Sequence, residues 1–168
     1  MRLYDSELES YHNSVYFSGE SLSVNATHFY GDNRVTSKVH KLNQRSNGGG
    51  LFVRRVLIMR IQHCNFTDLV GENGGGLYYM EDVNAKNAMD QALGFKTFYS
   101  IVMIDNKFVN CEAITDGGAM YLSDVSNIEF LKGYVEGVAT NKGGGIYFYC
   151  TETDSSGNNI VPCDMMID

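Results

Sequence analysis

Apolar and polar positions alternate along this chain in short runs, and the runs are punctuated at a regular place. One string occurs four times: Gly48-Gly49-Gly50-Leu51-Phe52-Val53, Gly74-Gly75-Gly76-Leu77-Tyr78-Tyr79, Gly117-Gly118-Ala119-Met120-Tyr121-Leu122 and Gly143-Gly144-Gly145-Ile146-Tyr147-Phe148. Each copy reads glycine, glycine, small, aliphatic, aromatic, apolar. The leading glycines are 26, 43 and 26 residues apart, so the middle interval is the same period with a 17-residue insertion. Equal spacing on this scale marks a stacked repeat.

The physics of the string predicts its structure. Paired glycines turn a chain sharply and let neighbouring backbones approach, so Gly48, Gly49, Gly74, Gly75, Gly117, Gly118, Gly143 and Gly144 are expected to stack at one corner. The β-prone residues that follow are too few for a useful helix and read as one short strand per coil. Strand alternation sends Leu51, Leu77, Met120 and Ile146 to the interior with Val53, Tyr79, Leu122 and Phe148. Phe52, Tyr78, Tyr121 and Tyr147 then point outward. With Tyr16 of the related stretch Val15-Tyr16-Phe17, they form an aromatic ladder along successive coils.

The rest of each coil follows from spacing. Leu22 and Val24 alternate as Met59 and Ile61 do, leading to Phe29 and Phe66. Coil four reads Val102, Ile104, Phe108, Gly117, and coil five Ile128, Phe130, Tyr134, Gly143. Counted back from the glycine, Ile104 and Phe130 both stand at 13 residues, and Phe108 and Tyr134 at nine, so these pairs are expected to stack. Two insertions interrupt the pattern. One, near 31–46, carries 11 residues more than the matching stretch of the next coil. The other, near 81–98, has Ala85, Ala88, Met89, Ala92 and Leu93 at helical spacing and Gly94 as a stop. The expected organisation is a tail or cap over 1–14, a solenoid over 15–150, and a polar segment over 151–168 in which only Ile160 and Val161 suit a strand.

The repeated Gly-Gly-small-aliphatic string resembles that of the polymorphic outer membrane protein family. The resemblance covers about Leu22 to Phe148. It implies an all-β fold of the pectin-lyase-like kind, a right-handed parallel β-helix of about 5–6 coils; the handedness comes from the resemblance alone.

Composition narrows the function classes. Eighteen glycines beside one proline are structural, since a flexible linker would carry more proline and serine. A net charge of −7 without a basic run argues against nucleic acid and anionic membrane as partners, and no apolar run is long enough to insert in a bilayer. Met1 to Ser10 lacks the apolar core of a secretory leader. An extracellular or surface location therefore implies a removed leader or a segment of a longer chain. That location is favoured by Cys150 and Cys163, which bracket a polar loop of a size that a disulfide closes, while Cys64 and Cys111 read as buried thiols. Asn25-Ala26-Thr27 and Asn65-Phe66-Thr67 are glycosylation acceptors. They fall on the same side of adjacent coils, Asn25 three residues earlier in its rung.

Catalytic and metal chemistry find little to use. Glycoside hydrolysis needs two facing carboxylates and uronate elimination a base with cationic help, yet the outward positions carry aromatics. Asp105, Asp116 and Asp124 share one coil and Arg54 and Arg55 another, with no acidic pair set against a basic pair. His12, His28, His40 and His63 lack ligand spacing, and an aliphatic residue stands where a glycine-rich calcium repeat needs aspartate. Glu72, Asn73 and Asp116 read as caps on turn amides. No catalytic residue, metal ligand or cofactor is therefore expected. The expectation is a non-enzymatic structural or adhesive protein whose end rungs recruit further copies into a filament. The alternative is a polysaccharide-binding or polysaccharide-modifying protein that meets glycans along the ladder.

Overall fold

The computed structural model describes residues 2–4, 7–9, 15–18, 21–31, 47–81, 91–94, 100–150 and 164–168. It is an all-β structure of three sheets in which every strand pairing is parallel. The first sheet stacks β1 (Arg2–Tyr4), β4 (Ser21–Asn25), β7 (Ile58–Gln62), β11 (Ser100–Ile104), β14 (Asn127–Leu131) and β17 (Asp164–Ile167). The second stacks β2 (Glu7–Glu9), β5 (His28–Tyr30), β8 (Asn65–Thr67), β12 (Lys107–Ala113) and β15 (Tyr134–Ala139), with the short β9 (Val70–Gly71) also on β12. The third stacks β3 (Val15–Ser18), β6 (Leu51–Arg54), β10 (Leu77–Met80), β13 (Met120–Ser123) and β16 (Ile146–Tyr149). The chain visits first, second and third sheet in rotation five times, then returns to the first. Parallel strands that recur in rotation are compatible with a solenoid.

The glycine-led strands fall in the anticipated register. Val15, Leu51, Leu77, Met120 and Ile146 are directly paired through the third sheet, as are Tyr16, Phe52, Tyr78, Tyr121 and Tyr147 beside them. Leu51, Leu77 and Met120 are fully buried, whereas Val15 and Ile146 at the two ends of the sheet are only partly covered. The core runs through the middle of all three sheets, with Phe29, Phe66 and Phe108 as its axial stack: ring centroids lie 4.6 and 4.4 Å apart and planes are within 4°. Offset or parallel ring contacts of this kind add to the area that they bury.

The leading glycines do what the string requires, with φ of 66°, 63°, 67° and 62° at Gly48, Gly74, Gly117 and Gly143. The second glycines serve closeness instead. A Cβ on Gly75 would overlap the Gly118 carbonyl oxygen of the next coil, and Gly118 stands in the same relation to Gly144. Gly144 departs from the expectation. A Cβ there meets only the Gly137 carbonyl oxygen, at 3.8 Å, because no described strand lies beyond it; its φ is ordinary, as at Gly49, Gly75 and Gly118.

The other corners use non-glycine residues in the left-handed region. Ala26, His63, Asp105 and Lys132, with φ between 48° and 53°, follow β4, β7, β11 and β14, one per coil. Each donates its amide to a carbonyl of the following coil: Ala26 to Gln62, His63 to Ile104, Asp105 to Leu131 and Lys132 to Asp168. A buried residue comes next, Thr27, Cys64 and Asn106 in the first three. Short polar side chains tolerate this conformation best, so Asp105 is at home there.

Coils four and five contain a register correction. Phe130 pairs with Met103, not Ile104, and Tyr134 pairs with Lys107 while Phe108 pairs with Val135. The inward residues of β11 are accordingly Ile101 and Met103, both fully buried, and Val102 and Ile104 face outward. The cause is a bulge in β12: three steps from Phe108 to Cys111 span two from Val135 to Gly137. Asn110, with φ 52°, is the extra residue. Counting back from the glycine crosses this bulge and slips by one, which exchanges the two faces of a strand.

The sheets also reach beyond 15–150. β1 pairs with β4, β2 with β5, and β17 with β14. Ile160 and Val161 lie outside the described residues, as do most of the two insertions and Ala85, Ala88 and Met89. Residues 91–93 are helical and Gly94 follows with φ 72°.

Candidate functional surface

The outward face of the third sheet carries an unbroken row of rings. Centroid separations are 5.1 Å for Tyr16–Phe52, 5.1 Å for Phe52–Tyr78, 4.9 Å for Tyr78–Tyr121 and 5.1 Å for Tyr121–Tyr147. The row arises because position two of each glycine-led strand is aromatic and the strands are in register. Rungs about 4.8 Å apart bring such rings into direct contact. The first two contacts are edge-to-face, the third is stacked at 18°, and the fourth is tilted at 41°.

Exposure along the row is uneven. Tyr16 is 56% exposed, whereas Tyr78 is 7% exposed and donates its hydroxyl to the Met80 sulfur at 3.3 Å. Outward-pointing is therefore not the same as solvent-facing in the middle of the row. Burial raises the Tyr78 phenol above its usual range, with Arg54 pulling the other way. Tyr121 is pushed up to about 12, first by burial and then by the neighbouring phenols, Asp116 and Asp124. Tyr147 is flanked by Tyr149, ring centroids 6.5 Å apart, and the Lys142 ammonium lies 5.8 Å from its ring centroid.

Beside the ladder, the residue before each leading glycine forms a polar column. The Asn73 side-chain amide donates to the Asn47 side-chain oxygen at 2.9 Å, and its own oxygen accepts from the Asp116 amide at 3.3 Å. Asp116 in turn accepts from the Lys142 backbone amide at 3.0 Å and the Asn141 side chain at 2.9 Å. Asn73 and Asp116 thus hold turn amides of the coil beyond, and their polar atoms are engaged in that task.

The second sheet presents a different outward column: His28, Asn65, Lys107 and Tyr134 on successive strands. The His28 imidazole bonds Thr67 across strands at 3.2 Å, and the Tyr134 hydroxyl donates to the Glu136 carboxylate at 3.2 Å. At the adjoining corner His63 and Asp105 lie 3.1 Å apart, both more than half exposed, a pair weakened by water and salt. Arg54 ends β6 and corresponds through Met80 to Ser123, so Arg55 follows the position that Asp124 follows two coils on, while Asp116 precedes the other end of its strand.

The two glycosylation acceptors are not equivalent. Val24 pairs with Ile61 and Phe29 with Phe66, so Asn25 and Asn65 belong to adjacent coils. A corner separates them, Asn25 ending a strand of the first sheet and Asn65 starting one of the second. Asn65 is exposed. Asn25 is half-buried, and its side-chain oxygen is buried without a hydrogen bond.

Sequence reading did not single out Asn106. Its side chain is fully buried between coils, where its oxygen accepts from the Cys64 amide at 3.0 Å and its amide donates to the Ile61 carbonyl at 2.9 Å. The signal was its place two residues before Phe108, the place of Cys64 before Phe66 and Thr27 before Phe29.

Cys64 and Cys111 are buried free thiols. Burial raises both, Cys111 to about 12, so at neutral pH they are protonated and unreactive. Cys150 is disulfide-bonded, and Cys163, its expected partner, lies outside the described residues. Among the described residues no three His, Cys, Asp or Glu side chains gather as metal ligands. No helix among them is long and apolar enough to cross a membrane. No family model, curated protein or solved structure matches the chain.

Proposed function

We propose that this chain is a right-handed parallel β-helix of the kind that the polymorphic outer membrane protein repeat resembles, serving as a non-enzymatic structural or adhesive element at an extracellular surface. The observation that carries the reading is where the outward groups spend their interactions. Ladder rings contact one another at about 5 Å on successive rungs, and the Asn73 and Asp116 columns hold backbone amides. Rings whose faces and edges meet neighbouring rings stiffen a sheet and leave less open face for a sugar.

Self-association completes the proposal. Among the described residues the outer edges of β15 and β16 have no partner strand, and Val135, Ile146 and Phe148 beside them are only partly covered. An open parallel edge over partly covered apolar side chains favours addition of another rung, and a second copy supplies one in a head-to-tail contact that propagates. Light scattering across a dilution series and electron microscopy test it: elongating, concentration-dependent particles are expected, and a monomer at all concentrations refutes the assembly.

A second reading, binding of an extended glycan, is favoured by the His28, Asn65, Lys107 and Tyr134 column with Glu136 beside it, a row of exposed or half-exposed polar groups. Glycan-array binding that is lost on Lys107→Ala and Tyr134→Ala would support this surface over the ladder.

A further inference from the structure

The ladder contains tyrosines on three successive strands, Tyr78, Tyr121 and Tyr147, and phenols brought together in this way can react with one another. Their two contacts, and that of Tyr147 with Tyr149, differ in a way that matters for chemistry. Tyr78 and Tyr121 lie nearly face to face at 18°, and Tyr78 is almost fully buried with its hydroxyl tied to Met80. A bond between ring carbons forms in the plane of each ring, so that face-to-face arrangement holds the reacting carbons badly. Tyr147 and Tyr149 are parallel but 6.5 Å apart. Tyr121 and Tyr147 combine a 5.1 Å centroid separation with a 41° tilt, which turns ring edges toward each other. Both rings are only half-buried, so a modest change in side-chain torsion brings an ortho carbon of one to an ortho carbon of the other.

We propose that Tyr121 and Tyr147 are a site of oxidative tyrosine cross-linking, a covalent staple between adjacent coils formed by a haem peroxidase with hydrogen peroxide. Peroxide takes one electron and one proton from each phenol and leaves as two waters. The two tyrosyl radicals join through their ortho carbons. The hydrogens displaced from those carbons move to the phenolic oxygens and restore both rings, so the product is a biphenol two hydrogens lighter than the starting chain. The Lys142 ammonium lies 5.8 Å from the Tyr147 ring centroid. The inference stands on ring geometry and is independent of whether the chain assembles.

The test is oxidation of dilute, purified protein with peroxidase and hydrogen peroxide, read by dityrosine fluorescence and by mass mapping of linked peptides. A monomeric product that joins the Tyr121 and Tyr147 peptides is expected. Tyr121→Phe and Tyr147→Phe should each lower its yield by at least about tenfold, since either removes one pre-positioned partner. Tyr149→Phe should leave it unchanged. The same oxidation in urea checks that the fold supplies the proximity: residues 26 apart in an unfolded chain meet no more readily than other phenols at similar separation, so the yield of this link should fall and its preference be lost. The proposal is overturned by an equal yield in urea, by linkage of Tyr78 in place of Tyr147, or by dityrosine found only in covalent dimers through the most exposed phenols.

Discussion

Asn110 lies over Asp68 in the neighbouring coil, both backbones in the left-handed region at 52° and 55°, and the Asn110 side-chain amide donates to the Asp68 carboxylate. The two residues share one bulge geometry on successive rungs, and Asp68 donates its own amide to the Val109 carbonyl to tie them together. Short polar side chains accept this conformation, and a β-branched one does not. Asn110→Val should lose about 1–3 kcal/mol, whereas Asn110→Gly should stay within about 1 kcal/mol of the parent because only an exposed hydrogen bond is lost. Urea unfolding of the two variants side by side makes the comparison; equal losses would point to the hydrogen bond, not the backbone.

The glycine column predicts a graded response to one added methyl. Gly75→Ala forces a Cβ onto the Gly118 carbonyl, backbone against backbone, and should cost at least about 3 kcal/mol. Gly144→Ala meets nothing closer than 3.8 Å and should shift stability by no more than about 0.5 kcal/mol in the isolated chain. Thermal melts of both variants at low concentration decide it.

Asn106 offers a sharper test of how the coils are held. Asn106→Ala leaves the buried Cys64 amide and Ile61 carbonyl without partners and should cost about 2–6 kcal/mol, near 1–3 for each orphaned group. Asn106→Asp should be no better, since an acceptor then faces the Ile61 carbonyl. Denaturant midpoints, with the slope checked for constancy, measure both; a near-neutral Asn106→Ala would mean that water replaces the side chain.

Alkaline pH should loosen the ladder. The Tyr121 phenol titrates near 10 when unfolded and at about 12 in place, so between those values the folded chain holds more protons than the unfolded one. Stability is then intact below pH 10 and falls as pH rises toward 12. Tyr78, raised in the same direction by burial, adds to the fall. Tyr121→Phe should flatten the decline in melting temperature over that window; an unchanged slope would assign it to other groups.

The glycine-led strands were legible from the sequence because glycine pairs and an alternating apolar triplet have few other uses, and Leu51, Leu77 and Met120 stack as that pattern requires. The strands of the first sheet were legible only as alternation, and alternation alone leaves two registers that differ by one residue. Asn110 decided between them, yet Phe-Val-Asn-Cys reads as ordinary strand and loop, so Val102 and Ile104 were assigned the interior that Ile101 and Met103 occupy. β1, β2 and β17 have no glycine turn to announce them, and short polar stretches such as Glu7–Glu9 become strands only because a neighbour offers them an edge. Asn106 was hidden for the opposite reason: an asparagine after an aspartate suggests a surface turn, and only the stacking of Cys64 beneath it makes the position interior.

The rotation of the chain through the three sheets also bears on how the molecule comes apart. Among the described residues each strand is paired only with its counterparts one turn earlier and one turn later, so disruption spreads along the axis by single turns and not through the whole body at once. The half-covered Val15 and Phe17 at one extreme and Ile146 and Phe148 at the other mark where fraying starts. Amide exchange should accordingly be slowest around Leu77 and Met103 and quicken toward both extremes, and a molecule pulled from its ends should lengthen in steps of one turn.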